Sequence, residues 1–267
     1  MSDWSLVDVN AWLGHWPFRQ TPDTSGPAVV RKLTGLGVER AWVGHLAGLF
    51  DRDIEGGNRR LAAECRGEPA FFVPFGTVHP LLPDWSEDLR RCHEVHGCRG
   101  IRLAPGFHGY DVAAPEFAEC LRQATSRGLV VQVVCGMEDE RTQNPQFRVP
   151  FVDLKRLSEV LGPIANVRLV LLNAFRKLAP AQAAELAGTG KVWFDLAMLE
   201  GVDRVGQLVQ EVGPRPLLWG SHFPLFVPES AQLKLTESEL PRPILETIAR
   251  GLARGRGNRV GGLKPGR

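Results

Sequence analysis

The feature that most constrains this chain is an alternation that runs its full length. Short apolar runs rich in β-branched residues occur at 5–10 (SLVDVN), 40–45 (RAWVGH), 70–76 (AFFVPFG), 100–104 (GIRLA), 129–135 (LVVQVVC), 167–173 (VRLVLLN), 191–196 (KVWFDL) and 216–221 (PLLWGS). Each is followed by a stretch with helical periodicity, at 27–37, 57–67, 84–97, 115–128, 150–162, 180–188, 202–213 and 241–255. Asp84 with Glu87 three residues on has the pattern of a capping box for the third helix. Strands joined through helices run parallel, with right-handed crossovers. Strands apolar on both faces must be covered on both sides. Eight such units in 267 residues predict a closed (β/α)₈ barrel in a single domain. An open doubly wound sheet is the rival, but no GxGxxG or GxxxxGK[ST] follows any strand. The barrel is expected over residues 1–259, with 260–267 a flexible basic tail.

Composition narrows the partners. A formal net charge of +2 with dispersed Arg and Lys gives no field suited to nucleic acid or an anionic membrane. Five scattered cysteines, odd in number and without a CxxC pair, are expected to be reduced thiols. The N-terminus has neither a basic segment nor an apolar one of signal-peptide type, and no apolar run approaches a membrane span. The expectation is a cytoplasmic protein with a small-molecule ligand, and its rim aromatics are compatible with a homodimer.

In a barrel of this kind the functional face is built by the loops after the strands. Strand 1 ends at Asn10, Trp12 and His15, strand 2 at His45, and strand 3 at Thr77 and His79. Arg102 lies in strand 4 and His108 just beyond it; strand 5 ends at Cys135, strand 6 at Asn173, strand 7 at Asp195 and strand 8 at His222. One rim histidine can equally anchor a loop, but five of the seven histidines on one rim point to a polar pocket.

The runs LVDVNAWLG, GIRL, VRLVLLNA, KVWFDL and LLWGSHFP, with GNRV near the end, resemble in order the amidohydrolase superfamily, specifically its aminocarboxymuconate semialdehyde decarboxylase-like branch. The resemblance covers essentially the whole chain. It implies a distorted TIM barrel and metal-assisted hydrolysis or non-oxidative decarboxylation. It also implies a divalent ion held by an HxH pair on strand 1, histidines closing strands 5 and 6, and an Asp closing strand 8. At those positions this sequence has Asn10 and Trp12, Val134 (or Cys135 with the register one further), Asn173 and His222. Indole and valine cannot ligate a metal, and carboxamides are poor ligands for zinc.

Three readings follow. In the first, a hydrolase- or decarboxylase-like enzyme acts on a small carboxylate, ester, lactone or amide without the family's usual metal. His222 is its general base and Asp195 the residue that orients it. Asn10, Trp12, His15, His45, His79, Arg102, His108 and Asn173 contact the substrate, with Arg102 placed to clamp an acid, and Cys135 is a nucleophile if an imidazole lies near it. In the second, the barrel is a pseudoenzyme that binds a ligand or serves an assembly, with Trp12 as a plug and Trp16, Phe18 and Phe107 as an aromatic rim. In the third, His15, His45, His79, His108 and His222 form a relocated metal site, the one case in which a cofactor is expected. The loop 136–150 is expected to be a lid.

Overall fold

In the computed structural model, which describes residues 5–254, eight parallel strands alternate with helices. The strands are β1 (Leu6–Leu13), β2 (Val38–His45), β3 (Phe72–Thr77), β4 (Gly100–Leu103), β5 (Val130–Val134), β6 (Leu169–Leu172), β7 (Val192–Asp195) and β8 (Leu217–Leu218). The helices are α1 (Gly26–Thr34), α2 (Ile54–Gly67), α3 (Trp85–Glu94), α4 (Pro105–His108), α5 (Pro115–Ser126), α6 (Leu157–Leu161), α7 (Pro180–Gly188), α8 (Arg204–Val212), α9 (Pro228–Thr236) and α10 (Arg242–Arg250). Strand order follows the sequence from β1 to β8. The ring is joined where the Val9 and Trp12 amides donate to Trp219 O (3.1 Å) and Phe223 O (2.9 Å). The (β/α)₈ expectation is met.

Buried apolar residues divide into two clusters, as a closed barrel requires. Val7, Val9, Trp12, Val73, Phe75, Val134, Val170 and Leu172 fill the lumen. Leu6, Ala11, Val43, Ile101, Val131, Val133, Leu171 and Phe194 face the helical shell. Alternation along each strand produces this division, and every fully buried Leu, Ile or Val contributes about 1.5–3 kcal/mol. Strand β1 departs from the alternation. Its register with β2 jumps from Asp8↔Ala41 to Ala11↔Val43, a bulge that leaves residues 9 and 10 outside the ladder.

Several expected details differ. Asp84 precedes α3 but makes no side-chain cap bond: the Glu87 amide donates to Asp84 O instead, and the Glu87 carboxylate pairs with Arg90 and Arg91. The helical stretch predicted at 150–162 shortens to α6, with 150–154 outside any regular element. Helices α4 and α9 were not expected, and both begin on a proline in the first turn, where a missing N–H costs nothing. The predicted tail lies outside the described residues. No helix among the described residues is long and apolar enough to cross a membrane.

Candidate functional site

Four strand ends converge on one buried polar group at the mouth of the barrel. Asn10, Asn173, Asp195 and His222 are all fully buried. The Asn10 side-chain amide donates to Asn173 Oδ1 (2.9 Å) and Asp195 Oδ2 (2.6 Å), and its oxygen accepts from Trp12 Nε1 at 3.1 Å. Asp195 Oδ1 accepts the Asn173 backbone N–H at 2.7 Å. The Asn173 amide nitrogen donates to Gly136 O (2.7 Å) and reaches His222 Nδ1 (3.3 Å). His222 Nε2 faces Met137 O at 2.7 Å. A carbonyl can only accept, so Nε2 carries the proton and Nδ1 offers its lone pair to Asn173. Asn173 (φ 60°) and His222 (φ 54°) sit in the left-handed region, a conformation that side-chain contacts must hold in place.

Burial sets the electrostatics. It pushes the Asp195 carboxyl up to about 6, helped by the charge of Asp8 and opposed by the bonds from Asn173 and Asn10. It pulls His222 down to about 4, so the ring is neutral near neutral pH. Gly220 makes room for the group: a Cβ there would lie 2.7 Å from Asp195 Oδ2 and 3.0 Å from Asn10 Cβ.

A second layer lies deeper in the lumen. Arg102, only 1% exposed, donates to Gln132 Oε1 (2.7 Å), Ala11 O (2.9 Å) and Trp42 O (2.9 Å). Its guanidinium carbon is 4.2 Å from the centroid of the Trp12 ring, a cation–π contact strengthened by desolvation. Gly44 admits it, since a Cβ there would meet the guanidinium arm at 2.7 Å. Burial lowers Arg102 to about 9, which leaves it charged at neutral pH. Asp8 accepts from the Asn10 amide (2.9 Å), the Ser221 amide (3.0 Å) and Ser221 Oγ (2.5 Å). Burial still raises its carboxyl.

The other expected rim residues stand apart from this network. His15 is exposed. His45 accepts the Ala47 amide at 3.2 Å, capping the 3₁₀ turn Leu46–Leu49, and pairs with Glu64 at 3.4 Å. His79 and His108 stack face to face, 4.3 Å apart and 4° from parallel, while His108 Nε2 meets Gly48 O at 3.0 Å. Burial lowers both rings, His108 to about 4. At the end of β5 it is Val134 that faces the lumen, and Cys135 lies in the outer cluster. Burial raises the Cys135 thiol well above its ordinary range, which suppresses the reactive thiolate.

Asp8, Gln132, Ser221, Arg19 and Glu138 were missed in the sequence. Asp8 and Gln132 carried a signal, as polar residues inside strands apolar on both sides. The loop after β5 lies against the polar network, with Gly136 O and Met137 O on Asn173 and His222. Phe147 joins Trp16, Phe18, Phe50 and Phe107, from the loops after β1, β2 and β4, with ring centroids 4.7–6.3 Å apart. Beneath it a void of about 10 Å³ remains, room for about one water.

This geometry, a parallel eight-stranded barrel with polar groups gathered at the C-terminal strand ends, defines a TIM-barrel protein of the enzyme-bearing architecture. The chain belongs to the amidohydrolase family, whose model (Amidohydrolase) matches residues 16–249. No curated protein matches the sequence. Among solved structures it is similar to 2,6-dihydroxybenzoate decarboxylase from Rhizobium (14% identity, TM-score 0.74, covering 94% of this chain and 98% of that one). It is also similar to 5-carboxyvanillate decarboxylase from Novosphingobium aromaticivorans, complexed with manganese and 4-hydroxy-3-methoxy-5-nitrobenzoic acid (12%, 0.69, 92% and 94%). A third is a dihydroxybenzoic acid decarboxylase from a Polaromonas species, with bound manganese and the inhibitor 2-nitroresorcinol (9%, 0.68, 92% and 94%). At these identities the likeness establishes the fold.

The expectation of no cofactor is corrected by these structures, because two of them hold manganese and point to a divalent metal. The donors in this chain do not fit such an ion as they are arranged. Among the described residues no group of three or more His, Cys, Asp or Glu is gathered to hold one. The rim histidines do not converge either, so the condition for a relocated site is not met. At the mouth, the His222 nitrogens and Asp195 oxygens already face protein partners.

Proposed function

We propose that the chain is an amidohydrolase-family enzyme of lyase or hydrolase type acting on a small carboxylate, and that its closest chemistry is non-oxidative decarboxylation of a ring-bearing acid. The observation that carries this is the convergence of Asn10, Asn173, Asp195 and His222 from four strands, with one carboxyl poised at about 6. Such a carboxyl exchanges its proton near neutral pH. With the loop 136–150 open, the Asn10 and Asn173 amides orient the substrate's oxygens, and Arg102 favours negative charge from below the Trp12 plate. As the bond to the carboxylate breaks, its electron pair stays on the substrate carbon. That carbon takes the proton of Asp195, which is restored from solvent.

A second reading, a barrel that binds a ligand without turning it over, is favoured by one observation: both ring nitrogens of His222 are engaged by Asn173 and Met137. One experiment separates the two. Hydroxybenzoates, lactones, esters and amides are incubated with the protein, with and without added Mn²⁺, and carbon dioxide and products are measured. The enzyme reading expects turnover that Asp195→Asn abolishes. Saturable binding without turnover under either condition would establish the second reading and remove the first.

A further inference from the structure

We propose that the loop 136–150 is a built-in pseudo-ligand, with Phe147 and Glu138 occupying the seats of the ring and the carboxylate of an incoming acid. The proposal rests on the reading of a ring-bearing acid as ligand and assigns the entry site above the polar network. Phe147 is 39% exposed, yet its ring lies against Phe18 at 4.7 Å and 17°, in the stacked arrangement of a planar guest. The neighbouring contacts in this cluster are edge-on or tilted, such as Trp16–Phe50 at 64° and Phe50–Phe107 at 82°. Phe147 is therefore a flat, half-exposed guest on rings supplied by three other loops.

The carboxylate seat lies beside it. Glu138, 5% exposed, accepts Arg19 Nε at 3.0 Å. Arg19 is fixed by a second bond from Nη2 to Leu225 O at 2.6 Å. Glu138 and Phe147 line one void together with Trp16, Phe107 and Gln143. Trp16 is 1% exposed, and its Nε1 has no hydrogen-bond partner among the described residues. A buried indole N–H without an acceptor is costly, and a ligand oxygen in this void would satisfy it. The loop's root is held by the polar network, since Gly136 O and Met137 O face Asn173 and His222. A ligand that displaces Phe147 and Glu138 thus loosens a segment bonded to the groups it must reach.

The test is calorimetric titration with benzoate and with neutral benzamide, on protein whose folding is checked by circular dichroism. Self-occupancy lowers apparent affinity by the fraction of open molecules. Phe147→Ala is therefore expected to tighten both probes, by roughly tenfold for a loop closed nine-tenths of the time. Glu138→Gln is expected to tighten benzoate alone, and Arg19→Met to weaken benzoate to the level of benzamide. Where Phe147→Ala does not fold, Phe147→Leu keeps the apolar bulk and removes the flat ring. Unchanged or weaker affinity in the Phe147 and Glu138 variants, or no binding by any form, overturns the proposal. Because binding is read apart from turnover, this pattern in a protein without activity sustains the pseudo-ligand and removes only the enzyme.

Discussion

The two halves of the barrel rim carry similar residues and use them differently. On the side of β1, β6, β7 and β8, side chains from distant parts of the sequence meet in one buried network. On the side of β2, β3 and β4, histidines serve the loops above the barrel: His45 caps a turn, and His79 and His108 stack on each other. Position at a strand end is common to both halves. What separates them is whether a side chain finds partners across the lumen or among the loops above it. Lumen partners bring full burial, whereas loop partners leave the histidine a packing group even where burial lowers its pKa, as at His108.

The largest expected effect tests this division at its centre. Asp195→Ala removes the acceptor of two buried donors, Asn10 Nδ2 and the Asn173 amide, and should cost about 3 kcal/mol in urea denaturation. A loss below that of His45→Ala, whose cap and half-buried pair are worth about 1 kcal/mol, would break the comparison.

A smaller effect concerns pH. Folded His222 titrates at about 4 instead of 6.5, so between those values the folded state binds fewer protons, and its contribution to stability rises with pH. Asp195, raised from 3.8 to about 6, holds more protons when folded, and its contribution falls as pH rises from 4 to 6. The two slopes oppose each other. His222→Asn, whose side chain tolerates the left-handed backbone, leaves the Asp195 slope unbalanced. The stability difference between wild type and variant should grow from pH 4 to 6.5 by about 1.4 kcal/mol per unit at most. Denaturation curves across that range would show a flat difference if His222 were solvated. The smallest effect is that of exposed His15: His15→Ala should change stability by under about 0.5 kcal/mol and leave benzoate binding unchanged.

Much of this was legible in the sequence. Alternating apolar runs and helical stretches specified a parallel sheet covered on both faces, and eight units without a nucleotide-binding glycine motif favoured the closed barrel over the open sheet. Placement at strand ends singled out Asn10, Asn173, Asp195 and His222, which do meet. Placement did not separate these from His15, His45, His79 and His108, because convergence depends on lumen geometry and on loop paths that periodicity does not encode. Cys135 illustrates the limit. A shift of one residue decides between lumen and shell, and the pleat of β5 gave the lumen to Val134. Arg19 and Glu138 carried no signal at all, being charged residues in long loops whose meeting depends on the path of the loop 136–150.

The bulge in β1 has a mechanical consequence. It turns the Val9 and Ala11 carbonyls toward Gln132 and Arg102, whose side chains cross the lumen from β5 and β4 like spokes to a rim. Bonds around the circumference tie a strand only to its two neighbours, so sliding of β1 is opposed by them only at its flanks. Spokes anchored on β1 oppose that sliding. The strand where the chain both begins the barrel and closes it is therefore pinned from inside as well as from its flanks.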